Sequence, residues 1–318
     1  MSFQNASTSK RVALPKNFTS AAALEFLVKA QEFFSYKGKQ VNGFLLDTSK
    51  VRECSMLGVL LFYKFIEYTF NNNCFNNPLI NFKEKMHIAV KKYGFSDLIT
   101  QYMKDKKKVA SEYKKLAISL TDEFIIAPQA LLRDEKYSNE ALRDKFLPKI
   151  KEYYEGNEKG ISMIFSCLSE VLLNFWEHAI QDTKSIIVAS GNKNNIEIAC
   201  ADTASGIIST LGPVLNISKE KKEIILLKSI EKGVTSKLNT NHMGYGLWIL
   251  DRIVEETQGR MHLYSEGCYY FNQGGRKKSG KCGYWQGTII YISLPLSNPK
   301  TIADIENDNT NNIKIDWL

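Results

Sequence analysis

The segment LSEVLLNFWEHAI, residues 168–180, constrains the fold more than any other stretch of the chain. Val171, Leu172, Leu173, Phe175, Trp176, Ala179 and Ile180 leave little of a helix surface polar, and a helix that is apolar nearly all round has to be buried. Yet Glu170, Asn174 and His178 recur at four-residue intervals. Positions i, i+4 and i+8 drift by only about 40° per step, so the three side chains form one stripe. A buried polar group left without a partner costs roughly 1–3 kcal/mol. Either the stripe faces solvent beside Glu177, or it serves a ligand or an internal polar network.

The chain of 318 residues is long enough for two domains with separate cores. With 44% hydrophobic and 24% charged residues it has the composition of an ordinary globular protein. No apolar run approaches the roughly 20 residues that span a bilayer. The N-terminus MSFQNASTSKRVALPKNF lacks the apolar core of a signal peptide, so a cytoplasmic protein without membrane contact is expected. Cys54, Cys74, Cys167, Cys200, Cys268 and Cys282 contain no C-x-x-C pair, which argues against a zinc knuckle and for reduced thiols. The net charge of +8 is uneven, with 17 Lys/Arg against 8 Asp/Glu in residues 1–110 and 25 against 26 in residues 111–318. A basic lobe suits nucleic acid or an acidic protein, although solvated lysines are the commoner reason for one. No RNA- or DNA-binding motif accompanies it.

After a polar leader, SAAALEFLVKAQEFFSYK has helical spacing, VNGFLLDTS reads as a short buried strand, and SMLGVLLFYKFIEYTF as a helix. NNNCFNNP interrupts the pattern, with Pro78 favouring an extended or turn conformation. Residues 1–105 are therefore assigned to a small α/β domain. Residues 106–158 read as a charged, mostly helical connector ending near Gly156. Residues 159–296 alternate helices with strands at SIIVAS, NIEIACAD, RMHLYSEG and GTIIYISLPL, the pattern of an α+β sandwich. Residues 297–318 read as a polar, loosely held tail.

Three segments after the striped helix carry chemistry-bearing residues. CADTASGI puts Asp202 at the end of a strand, with Gly206 where the chain must turn. NHMGYGLWILDRIV places Gly244 and Gly246 directly before a helix, so that backbone N–H groups could face an anion. QGTIIYISLPL carries Thr288 at the start of the last strand. A lone G-x-G is weak evidence, because glycines also make turns. The order of all four segments is more specific.

In that order the chain resembles the GHKL ATP-binding superfamily, named for gyrase, the heat-shock chaperone, histidine kinases and the mismatch-repair ATPase. The likeness spans residues 159–296: the N box matches Glu170, Asn174 and His178; the D-x-G-x-G box matches DTASG; the second glycine box matches GYGL; and the last Gly-Thr matches Gly287 and Thr288. The resemblance implies a Bergerat-type α/β sandwich with helices on one face of a mixed sheet, and ATP with Mg²⁺ as cofactors. It also implies roles. Asn174 would ligate Mg²⁺, a hard cation preferring oxygen donors. Glu170 would be the general base for the attacking water. His178 would sit near the phosphates. Asp202 would accept from the adenine amino group, with Gly206 letting the backbone approach the ring. Gly244, Tyr245, Gly246 and Leu247 would border the phosphates, and Thr288 would support the adenine end. Residues 207–243 would form the lid, with Thr235, Ser236 and Lys237 as further phosphate candidates.

Two departures stand out. Ala204 replaces the first glycine of the Asp box, which matters if that position needs a positive φ. The basic insert NQGGRKKSGKCGYW before Gly287 is long and reads as a hairpin loop. The first domain has a fainter likeness to STAS domains: GFLLDTSKVRECSMLGVLLF joins a strand ending in Asp to a serine-led helix. Ser55 would match their phosphorylated serine, although the turn is shortened and an N-cap role explains Ser55 as well. The leading expectation is a Mg-ATP-dependent ATPase acting as a conformational switch coupled to the STAS-like domain or to a protein partner, which includes a homodimer. Alternatives are an anti-sigma-factor-like serine protein kinase and a non-catalytic ATP-binding interaction protein. A histidine kinase would need an acceptor, and upstream of the N box only His87 offers one.

Overall fold

The computed structural model describes residues 9–36, 41–117, 124–131, 140–178, 185–218, 221–236 and 244–305. It divides into two compact units. Met1–Asp122 with Cys282–Gln286 form the first, and Glu123–Lys281 with Gly287–Leu318 the second. The connector expected at residues 106–158 is thus shared out between them.

In the first unit a serine starts the longest helix. Ser55 has extended backbone and its hydroxyl accepts from Gly58 N at 3.3 Å, the N-cap arrangement, opening α2 (Met56–Asn71). Behind it Asn73 takes a left-handed φ of 50°, a usual way to stop a helix. Between these ends almost every side chain is buried. Around α2 lie α1 (Ala23–Ala30) and a parallel sheet of order β1 (Ser9–Ala13), β3 (Val41–Asp47), β5 (Phe75–Asn81). The leader therefore contains a strand, and the asparagine-rich interruption leads into another. Phe26, Phe33, Phe44 and Phe65 meet edge to face in the core, with centroids 5.0–6.1 Å apart. A two-residue parallel pairing of β2 (Asn17–Phe18) with β4 (Glu53–Cys54) leads into Ser55, followed after β5 by α3 (Glu84–Lys92), α4 (Ser96–Thr100) and α5 (Lys106–Lys115). His87 lies on α3 with its ring against Phe82 and Tyr113, and burial lowers its pKa.

At the end of β3 the buried Asp47 carboxylate accepts from Arg11 on β1 and from Ser49 N at 2.8 Å. The Arg11 guanidinium holds the carboxyl down at about 2, from an ordinary 3.8. A depressed carboxylate pKa stabilises the fold above the unfolded value and loses that contribution as pH falls through the folded one. Because the Arg11 side chain is 59% exposed, solvent screening limits its worth; we take about 1 kcal/mol. Arg11→Met should lower stability at neutral pH by about that amount, with the difference from wild type vanishing between pH 4 and pH 2. Paired urea titrations across that range check it, and a gap persisting at pH 2 would rule out the ion pair as its source.

The second unit is built on one seven-stranded sheet of order β11-β10-β9-β12-β8-β7-β6. Its strands are β6 (Phe124–Leu131), β7 (Ser185–Asn192), β8 (Asn195–Ala201), β9 (Arg260–Ser265), β10 (Cys268–Gln273), β11 (Arg276–Lys281) and β12 (Thr288–Pro295). Every neighbouring pair is antiparallel, so the sheet is not mixed as the resemblance implied. The reason is local. β7–β8, β9–β10 and β10–β11 are joined by two-residue turns, which can only reverse the chain, and β12 slots antiparallel between β8 and β9. The strand β6 also corrects the helical connector. FIIAPQAL is rich in apolar and β-branched residues, and its proline would break a helix but fits an edge strand. The pairing register shifts between Ile126 and Gln129, around that proline.

The helices are α6 (Leu147–Tyr153), preceded by a wide turn over Ala141–Phe146, α7 (Glu158–His178), α8 (Ile207–Leu211), α9 (Lys222–Lys228) and α10 (Gly246–Glu256). Alternate residues such as Ile198, Cys200, Ile290, Ile292 and Leu263 share a core with Leu168, Val171, Phe175, Leu250 and Val254 of α7 and α10. Ile305, in the expected tail, is fully buried in the same core, so the first part of that segment is held. No described helix is long and apolar enough to cross a membrane, and none of the six cysteines forms a disulfide.

Candidate functional site

The stripe on α7 is neither fully wet nor sealed. Glu170 and Asn174 are both half-buried, while their neighbours Val171, Leu172 and Phe175 are in the core. Asn174 donates its side-chain NH₂ to Glu170 O, one turn back, at 2.7 Å, which turns its amide oxygen the other way. Against this stripe lies the first residue of α10. A β-carbon at Gly246 would come 2.6 Å from Glu170 Oε2 and 3.1 Å from Asn174 Nδ2. The glycine therefore allows the two helices to approach at this point, and any side chain there would displace the carboxylate. Tyr245, the residue before, caps α10 without a side-chain hydrogen bond. The positive end of the helix dipole thus lies beside Glu170 with no side-chain acceptor from its own cap. His178 ends α7, but its side chain lies outside the described residues, as does Lys237.

The Asp box forms a second neighbourhood. Asp202 directly follows β8, is 3% exposed, and its N–H donates to Thr288 O at 3.0 Å. Its Oδ1 accepts from Ala204 N at 2.8 Å, which folds the loop back on itself. Gly287 has φ +91°, and a β-carbon on it would lie 2.2 Å from the same Oδ1. Both its conformation and its space exclude other residues. Thr288 opens β12 and is buried opposite Ser265. Ala204 does not take a positive φ, so the missing glycine of the Asp box causes no backbone strain.

Gly206 has a different reason from the one expected. Its φ of −82° suits any residue, and what would crowd a β-carbon is protein, with Ser265 Oγ at 2.4 Å and Glu266 Oε2 at 2.6 Å. Ser265 and Glu266 were not read from the sequence. Ser265 Oγ accepts from Ile207 N at 2.9 Å and donates to Gly287 O at 3.1 Å, joining the Asp-box loop to the start of β12. Glu266, at a left-handed φ of 47°, accepts from Ser209 N at 2.7 Å. Only the Ser-Glu-Gly turn between two strand-like runs could have hinted at them.

Of the expected lid, residues 207–218 and 221–236 are described. Gly233 N donates to Gly244 O at 3.1 Å, and Gly244 has φ +69°. Thr235 and Ser236 are partly exposed. Tyr245 and Leu247 pack partly buried against the core. Lys232, also unforeseen, holds its ammonium 5.1 Å from the Tyr245 ring and 4.7 Å from the Trp248 ring. It brings a cation close to the start of α10.

α7 packs on both α10 and β8, the elements that carry Gly246 and lead to Asp202. Among the described residues no three His, Cys, Asp or Glu side chains converge as a metal cage. A cation here would need a donor such as Asn174 together with oxygens from a ligand, which is how Mg²⁺ is commonly held on phosphates. Compared with protein-family models, curated proteins and solved structures, the chain matches none.

Proposed function

We propose that the second unit binds Mg-ATP and hydrolyses it slowly, as the GHKL enzymes it resembles do. The observation that carries this reading is the meeting of Glu170 and Asn174 with Gly246. A carboxylate, an amide and a helix N-terminus are brought together at a glycine whose β-carbon would crowd the carboxylate. These groups suit three tasks of phosphate chemistry. Glu170 would orient and deprotonate water, Asn174 would give an oxygen to Mg²⁺, and the start of α10, with Gly244, Tyr245 and Leu247 around it, would receive phosphate oxygens through N–H groups. The resemblance also assigns His178 and Lys237 to the phosphates, but both side chains lie outside the described residues. Bound Mg²⁺ would offset charge on the phosphates.

At the other end, the buried Asp202 carboxylate would accept from an adenine amino group, with Thr288 beside it. Gly287 sets no side chain of its own against that carboxylate. Hydrolysis is preferred over transfer to Ser55, because the Ser55 hydroxyl is already engaged, accepting from Gly58 N at 3.3 Å and donating to Phe18 O at 3.5 Å. The switch partner is the first unit of this chain or another protein.

Asp202→Asn tests the adenine end. An amide there presents a donor to a donor, and affinity for ATP should fall by about ten- to a hundredfold, the range for a lost hydrogen bond to a charged group. Calorimetric titration with Mg-ATP checks it. Equal affinities in wild type and variant would remove Asp202 from the site.

A further inference from the structure

The basic insert before Gly287 belongs to a hairpin, and the hairpin has an unexpected partner in α10. Asp251, on α10, is 2% exposed, and a buried carboxylate is costly unless fully engaged. It is engaged from three sides. Tyr270 donates its hydroxyl to Oδ1 at 2.7 Å, Asn272 donates its amide to the same oxygen at 2.7 Å, and Lys277 approaches Oδ2 at 2.7 Å. Asn272 also donates to Asp251 O at 3.1 Å, and its own carbonyl accepts from Gly275 N in the hairpin turn at 2.8 Å. Lys277 reaches Glu255, one turn on along α10, at 3.1 Å, and Arg252 pairs with Glu255 at 3.1 Å. Although burial works against its charged form, Asp251 and Glu255 raise the Lys277 pKa. Burial and then Asp251 raise that of Tyr270.

Apolar packing by Ile249, Leu250, Ile253 and Val254 would hold α10 on the sheet without setting its position along its own axis. Directional hydrogen bonds to a single carboxylate do set it. A one-residue slip of a helix is 1.5 Å, and displacements near 1 Å at a reacting centre can cost about a hundredfold in rate. The end that would move is Gly246, against Glu170 and Asn174. We infer that Asp251, clamped by Tyr270, Asn272 and Lys277 of the β10–β11 hairpin, is a positioning residue that fixes the start of α10 against Glu170, and so sets the affinity for the polyphosphate of a nucleotide. This rests on the nucleotide reading of the site. It gives the hairpin a function that neither a solvated loop nor a nucleic-acid contact would.

The full chain tests it with Asp251→Asn, which keeps the shape but points a donor at Lys277 or removes one acceptor, and with Lys277→Met and Lys277→Arg. Mg-ATP and adenosine binding are titrated in each. In Asp251→Asn and Lys277→Met the Kd for Mg-ATP should rise by about tenfold or more, while that for adenosine, which reaches only the Asp202 end, stays at the wild-type value. Lys277→Arg should restore Mg-ATP binding. Damage to the whole unit would weaken both ligands alike and would overturn the inference, as would an unchanged Mg-ATP affinity. Hydrogen exchange of the ligand-free chain separates this from the nucleotide reading. Amides 246–250 should exchange faster in Asp251→Asn while those of α7 do not change. If wild type binds neither ligand but the exchange difference is present, the nucleotide reading fails and the clamp stands. If amides 246–250 are unaffected, the clamp itself is refuted.

Discussion

Glu170→Ala is expected to lower ATP turnover by two to four orders of magnitude, about the contribution of a positioned general base, with the Kd for Mg-ATP held within about threefold. The two readouts separate because the carboxylate lies at the start of α10, not at the Asp202 end. Removing it deletes the proton acceptor and leaves Asn174, the glycine segment and the adenine end intact. Asn174 keeps its geometry in the variant, since its NH₂ donates to the main-chain oxygen of residue 170, which alanine also carries. Glu170→Gln is the stricter version, preserving volume while abolishing basicity. Phosphate release under single-turnover conditions, beside calorimetry, measures both effects. Turnover equal to wild type in both variants would end the hydrolysis proposal and leave Glu170 as a partner of the α10 N-terminus alone.

Trp285→Ala should destabilise the first unit by about 3–5 kcal/mol, the usual cost of deleting a large buried aromatic side chain. Trp285 is fully buried, with its ring 5.1 Å from that of Phe34 in an edge-to-face contact. Its neighbours in the chain are engaged as well. Tyr284 N donates to Gln31 Oε1 at 3.3 Å, Gln286 meets the Tyr68 hydroxyl at 3.3 Å, and a β-carbon on Gly283 would lie 2.2 Å from the Leu27 backbone. Five residues from late in the chain thus fit the first unit closely. Because two units need not unfold together, amide exchange across α2 is a better gauge than one melting curve. Trp285→Phe, which keeps most of the volume and the edge-to-face contact, should cost far less. A cost below about 0.5 kcal/mol for Trp285→Ala, the range of ordinary surface substitutions, would show that the ring contributes little.

The striped helix and the strands that follow it were legible because their periodicities are strong and local. The pattern on α7 even contained its own polar face, which the structure sets against Gly246. Three things were not legible. FIIAPQAL sat between charged helical stretches, and its pairing with β7 is a tertiary fact. Ser265 and Glu266 act through a turn whose meaning depends on Gly206, more than fifty residues earlier. Nothing in the spacing of GLWILDRIV marks Asp251 as buried, and its partners lie on the hairpin that follows. In each instance the deciding contact joins residues far apart in sequence, where composition and spacing carry no signal.

The place of Cys282–Gln286 in the first unit bears on the order in which the chain matures. A ribosome delivers an N-terminal domain first, and such domains generally fold as they emerge. Here the segment that fills the first unit's core lies about 160 residues beyond Asp122. At 5–20 residues per second that is roughly 8 to 30 s of synthesis. Through that interval the first unit lacks Trp285, a fully buried ring of its core that packs on Phe34. The first unit is thus completed only just before β12 of the second is made, and a chain stopped within the second unit would still lack the ring that packs on Phe34.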